Sequence, residues 1–155
     1  MLAKIDPART KVLRKGAFLG KSVLYWISRD KRVDDNWALL AAQSVALNNK
    51  VPLIVCFQYL GHFPEANIRQ YGFLLKGLLE LKDKLESLNI EFILSQGRAS
   101  EVIPRIIDEK LVGTIITDYS PLRVYKKRTS KVLNRTKIPF YQIDAHNIIP
   151  VWKAS

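Results

Sequence analysis

The residues of this chain best suited to chemistry sit together in Ser28-Arg29-Asp30-Lys31-Arg32, where one carboxylate is flanked by cations and preceded by a hydroxyl. That is an unusual amount of charge for a tight turn, and it suits binding. A second run, Asp118-Tyr119-Ser120-Pro121-Leu122-Arg123, combines a carboxylate, a hydroxyl and a cation with apolar side chains. Arg29, Asp30, Asp118, Tyr119 and Ser120 would serve as the few polar anchors that a crevice with apolar walls needs to orient a flat ligand. The competing reading is structural: Arg29, Asp30, Arg32 and Asp35 form an ion-pair network that fixes the loop or docks another domain. For Asp30, Asp35 and Asn36 the structural role is favoured.

The elements that must position these runs follow from pattern. Val23 to Ile27 is an apolar strand; Asp34-Asp35-Asn36 place capping side chains before an amphipathic helix from Trp37 to about Leu47. Val51 to Phe57 is a second strand, with Pro52 at its start. Apolar residues at three- and four-residue spacing predict a long helix from Ala66 to Leu88. Ile90 to Leu94 is the third strand. A helix near Ser100 follows, with Pro104 expected near its first turn, and Gly113 to Thr117 is the fourth strand. A basic helix from Arg123 to Asn134 and a fifth strand from Ile138 to Ile143 complete the series. The alternation predicts a three-layer α/β domain: a five-stranded parallel Rossmann-like sheet, order 3-2-1-4-5, with helices on both faces. In that order the first and fourth strands are neighbours at the topological switch point, so the two charged runs face one crevice. Residues 1–21, which lack sustained periodicity, read as a basic N-terminal arm packed on a single domain formed by residues 22–155.

Composition bounds the function. A chain of 155 residues with 48% hydrophobic content buries one ordinary core. The lone Cys56 excludes an internal disulfide framework and points to a reducing compartment. No apolar stretch reaches membrane-spanning length and the N-terminus lacks a signal-peptide core, so a cytoplasmic location is expected. Two histidines and one cysteine cannot assemble a metal cluster; His62 reads as a surface loop residue. A net charge of +11 and a pI near 9.9 attract polyanions, nucleic acid first among them. Much of the excess lies in Lys4 to Lys21 and in Arg123 to Lys137, where seven basic residues meet no acid. Lys126, Lys127 and Arg128 are the candidate DNA contacts, against the alternative of a solvated helix face. Gly16, Gly20, Lys21 and Ser22 imitate a phosphate-binding loop, but the glycines are one residue too close and lead into a strand rather than a helix.

The run Tyr25 to Leu39 (YWISRDKRVDDNWAL) closely resembles the opening motif of the DNA photolyase and cryptochrome family, in the flavour of class II cyclobutane pyrimidine dimer photolyases. Gln70 to Leu78 (QYGFLLKGL), Thr117 to Arg123 (TDYSPLR) and Asp144 to Trp152 (DAHNIIPVW) resemble three further blocks of that class, in order. The resemblance implies the N-terminal α/β domain of such an enzyme, which holds an antenna chromophore and docks a helical FAD-binding domain. It implies that the whole protein splits pyrimidine dimers in UV-damaged DNA by electron transfer from excited reduced flavin. The chain stops about where the linker to the helical domain is expected, so FAD belongs to a domain outside it and no catalytic residue is assigned. The isolated chain is expected to neither retain FAD nor repair DNA. The antenna implied is 8-hydroxy-5-deazaflavin, a folate or a flavin, or it is absent. On this reading Ser28, Arg29, Asp30, Asp118, Tyr119, Ser120 and Arg123 are the cofactor-binding candidates, Tyr25 and Trp26 are core, and His146 and Trp152 belong to the interdomain seam. Two alternatives remain beside it. A stand-alone nucleotide-binding module should show a glycine-rich phosphate loop after a strand, and none is seen. A simple nucleic-acid-binding module should expose an aromatic platform, whereas the aromatics fall mostly in predicted elements.

Overall fold

The computed structural model describes residues 6–61 and 68–154. His62 and Ala66, at the expected start of the long helix, lie outside the described residues. Among the described residues a 3-10 turn, Pro7–Arg9, precedes six strands: β1 (Thr10–Arg14), β2 (Ser22–Ile27), β3 (Leu53–Tyr59), β4 (Glu91–Gln96), β5 (Val112–Asp118) and β6 (Phe140–Ile143). The helices between them are α1 (Trp37–Asn49), α2 (Ile68–Ser87), α3 (Ala99–Lys110) and α4 (Arg123–Arg135). The sheet order is β1-β6-β5-β2-β3-β4. Read from β4, the five parallel strands keep the expected 3-2-1-4-5 arrangement. The number of strands does not. β1 adds a sixth, antiparallel to β6, with Lys11 opposite Gln142 and Val12 opposite Tyr141. This strand escapes pattern reading because it is a half-exposed edge, TKVLR, whose charges blunt further pairing rather than announce a strand.

Alternation along each strand builds two cores. Val23, Tyr25 and Ile27 face one side with Val55 and Phe57, covered by Ala38, Ala42 and Ala46 of α1 and by Leu78, Leu81 and Leu85 of α2. Leu24, Trp26, Ile54, Cys56 and Ile115 face the other, against Val102, Ile103 and Ile106 of α3 and Val132 of α4. The alanines let α1 approach the sheet closely. Asn36 caps its start by accepting from the Leu39 amide at 2.9 Å, and Lys50 ends it in the left-handed region at φ 54°. Burial pushes the Cys56 thiol up to about 12, which makes it an inert core group. Gly20 is needed for packing: a Cβ there would lie 2.1 Å from the backbone nitrogen of Gly113. Among the described residues no helix is long and apolar enough to cross a membrane.

Pro104 lies deeper in α3 than the sequence suggests, at its sixth residue. Proline cannot donate to the carbonyl four residues earlier, that of Ser100. The Arg135 guanidinium donates to that carbonyl instead, at 3.0 Å, and so joins the end of α4 to the start of α3. Replacing Arg135 by alanine is expected to lower stability by about 1 kcal/mol, a fall in Tm of roughly 2–4 °C. A thermal melt of the variant that matches the parent chain would show the carbonyl to be equally well served by water.

Candidate functional site

β2 and β5 are parallel neighbours, with Trp26 opposite Thr117, so the loops leaving their carboxyl ends meet. The residue that joins them is Asp118, 2% exposed at the end of β5. Its Oδ2 accepts from three consecutive amides, those of Ser28 at 2.9 Å, Arg29 at 2.7 Å and Asp30 at 3.1 Å. Its Oδ1 accepts from the Tyr25 hydroxyl at 2.5 Å. Asn36 extends the network: its Nδ2 donates to the Tyr25 oxygen at 3.0 Å and to the Asp30 and Arg32 carbonyls at 3.3 and 2.9 Å, while its Oδ1 caps α1. Burial pushes the Asp118 carboxyl above its usual range, against the hydrogen bonds that favour the carboxylate. Burial, and then the Asp118 charge, push the Tyr25 hydroxyl well above its ordinary value, so it stays a donor.

Asp30 is also buried. Its Oδ1 lies 2.8 Å from Nε2 of His146 and 3.9 Å from Nε of Arg32, and its Oδ2 has no partner. His146 belongs to a C-terminal turn organised by Asp144, whose carboxylate accepts from the amides of His146, Asn147 and Val151. Arg9 grips the same turn by donating to the carbonyls of Asp144, Asn147 and Ile148 at 3.1, 2.7 and 3.1 Å. Trp152 closes it, its indole N–H donating to the Ala8 carbonyl.

Between the two loops runs a groove of about 280 Å³, lined by Ser28, Arg29, Lys31, Ser120, Leu122 and Tyr125, with Pro121 between the last two loop positions. Lys31 leans over the Phe57 ring at 5.2 Å, and its burial lowers its pKa. A second groove, about 450 Å³, lies between α4, β1 and the C-terminal turn. There the rings of Tyr119 and Trp152 meet edge to face at 5.2 Å and Lys126 sits 5.9 Å over Tyr119. Lys127 is exposed. Arg128 is half-buried, its guanidinium 5.0 Å from the rings of both Trp26 and Tyr125, and burial lowers its pKa. Among the described residues no three His, Cys, Asp or Glu side chains come together as a metal site.

Residues 23–155 match the family model described as DNA photolyase. The chain belongs to the DNA photolyase family. It is 39% identical over 158 residues to a deoxyribodipyrimidine photo-lyase of Arabidopsis thaliana, covering 97% of this chain and 32% of that protein. To the deoxyribodipyrimidine photo-lyase of Potorous tridactylus it is 44% identical over 137 residues, covering 87% of this chain and 26% of the relative. The chain thus spans about a third or less of the length of these relatives. Among solved structures it resembles a class III photolyase from Agrobacterium tumefaciens, with TM-score 0.66 and 21% identity over 83% of this chain and 27% of the other. A Synechocystis cryptochrome gives 0.64 and 19% over 74% and 24%. At such identities the structural likeness establishes the fold.

In this photolyase-family domain the structure brings three of the seven cofactor candidates, Ser28, Arg29 and Ser120, to one groove. Asp30 and Asp118 turn inward as the loop's fastening, Tyr119 faces the neighbouring groove, and Arg123 is the exposed first residue of α4. Lys31 and Tyr125 join the groove without having been singled out from sequence. Tyr125 was legible as the residue one helical turn after Leu122, on the same face. Replacing Asp118 by asparagine keeps the size but presents an amide donor to groups that are themselves donors. We expect a loss of about 3 kcal/mol in a denaturant titration. A variant as stable as the parent chain would mean that the loop holds its shape without this carboxylate.

Proposed function

We propose that this domain holds an antenna chromophore in the groove between the β2 and β5 loops, and that the whole protein repairs pyrimidine dimers by light. The observation that carries the reading is the groove's lining: Arg29 and Lys31 supply cations, Ser28 and Ser120 hydroxyls, and Pro121, Leu122 and Tyr125 apolar and aromatic wall. That set suits a planar ring with one anionic or polar edge. An antenna, when bound, absorbs light and passes the excitation on. The chain's own residues bind and orient it. Arg29 takes the polar edge, Leu122 and Tyr125 pack on the ring, and Asp118 holds Arg29 and Ser28 in place through their backbone amides. At about 280 Å³ the groove covers only part of a three-ring ligand, which agrees with a helical FAD-binding domain forming the rest. Repair chemistry belongs to FAD in that domain, and the buried, inert Cys56 agrees with a reducing, cytoplasmic setting. The test is titration of this chain with 8-hydroxy-5-deazaflavin, a reduced folate and FMN, read by absorbance shift. One of the three is expected to bind, and Arg29→Ala to weaken it about tenfold; FAD is expected not to copurify. Binding of none of them at saturating concentration would count against the groove as an antenna site.

A second role rests on α4. Its exposed cations, with no acid from Arg123 to Lys137, support non-specific contact with DNA phosphates by Lys126 and Lys127, with Arg128 as an inner member of the patch. Because each neutralised phosphate releases counterions, affinity should fall steeply with salt. Replacing Lys126 and Lys127 by alanine is expected to flatten the log–log salt slope by about 2. An unchanged slope would leave the helix as a solvated face. Arg128→Ala is a separate measurement, since it uncovers Trp26 and is expected to report on stability.

A further inference from the structure

On the α3–α4 face of the sheet lies a third groove, about 320 Å³, distinct from the antenna groove. Arg98 at the N-terminus of α3 and Lys127, Arg128 and Lys131 of α4 surround it, together with Ser100, and among the described residues no acid lines it. Glu101, the nearest acid on α3, reaches Arg98 at 4.0 Å from outside the lining. Four cations held at one groove repel one another unless an anion sits among them. Two further observations agree. Arg128, which lines the groove, has its guanidinium 5.0 Å from the rings of both Trp26 and Tyr125, so its charge is fixed at the groove wall. The cap position of α3 makes no side-chain hydrogen bond, so the first turn of a twelve-residue helix also faces the groove without a side-chain acceptor.

The rim is apolar: Leu60 is 57% exposed and Val124 75% exposed, side by side with the cations. A sugar phosphate has no apolar face to set against them. A lipid needs far more apolar surface than two side chains. We propose that this groove binds the phosphate of a nucleotide, its charge held by Arg98, Lys127 and Lys131 with the fixed charge of Arg128 behind them, its base packed on Leu60 and Val124. The same chemistry is offered by a free mononucleotide and by the 5′-phosphorylated end of a DNA strand. The site is saturable and holds one phosphate, which separates it from the salt-dependent contact along α4 considered above.

The experiment is a nitrogen-15 amide NMR titration of this chain with 5′-AMP, adenosine, inorganic phosphate, and thymidine tetranucleotides with and without a 5′-phosphate. AMP is expected to saturate at one per chain with shifts centred on Ser100, Val124 and Lys127, and adenosine to bind at least about tenfold more weakly. Lys131→Ala and Arg98→Ala, both surface changes that leave the fold intact, are each expected to weaken AMP about tenfold. Lys76→Ala on the opposite face is expected to change nothing. Tighter binding of the 5′-phosphorylated strand than of AMP identifies the strand end as the source; equal binding identifies the free nucleotide. Equal affinity for AMP and adenosine, shifts spread over every basic surface, or unaltered binding by the Lys131 and Arg98 variants would overturn the assignment.

Discussion

A single buried carboxylate determines the shape of this domain at the carboxyl end of its parallel strands. Asp118 closes β5, yet its oxygens serve the loop that follows β2, gathering three successive amides and one phenol. A loop of this kind has backbone donors that no strand can satisfy, and burying them unpaired would cost more than the interaction returns elsewhere. The carboxylate solves that problem from the neighbouring strand. It therefore couples the two loops at the switch point into one unit, and Asn36 passes the constraint on to the start of α1. The groove beside them inherits its shape from this fastening.

The charge surplus divides in the same way between structure and surface. Arg9, Arg128 and Arg135 are spent on carbonyls and rings: the C-terminal turn, the Trp26 and Tyr125 faces, and the carbonyl left by Pro104. Arginine suits these posts because its planar, weakly hydrated head stacks and donates at once. The lysines of α4 remain outward. The net charge of +11 sets the field a polyanion meets at a distance, while the exposed lysines of α4 that meet it first are Lys126, Lys127 and Lys131.

Most of the fold was legible in the sequence because the inner strands β2, β3 and β5 are buried on both faces and read as apolar runs, Val23 to Ile27 above all. The adjacency of β2 and β5 followed from chain order alone. β1 was not legible, since an edge strand carries no two-sided apolar signal. At the site, sequence placed both loops correctly but could not say which way each side chain turns. Asp118 has the residue type of a ligand anchor, and only the register of β2 against β5 reveals that its charge is turned inward, whereas for Asp30 the structural role was already the favoured one. Tyr25 read as core, and its ring is core; its hydroxyl is drawn into the loop network by Asp118, 93 residues away. Lys31, read as one more cation beside Asp30, gave no sign that it would fold back over Phe57.

The pairing of β1 with β6 sets an order of assembly. β1 finds its partner only when residues 140–143 have been made, and contacts such as Trp152 to Ala8 join positions 144 apart. Until then the N-terminal segment has no edge to pair with, while β2 to β5 and their helices already have theirs. Such distant closure is slow to form and comes late. β1 and the turn that follows β6 are thus fastened together in one late step, so that a chain interrupted before residue 140 leaves the basic strand β1 unpaired.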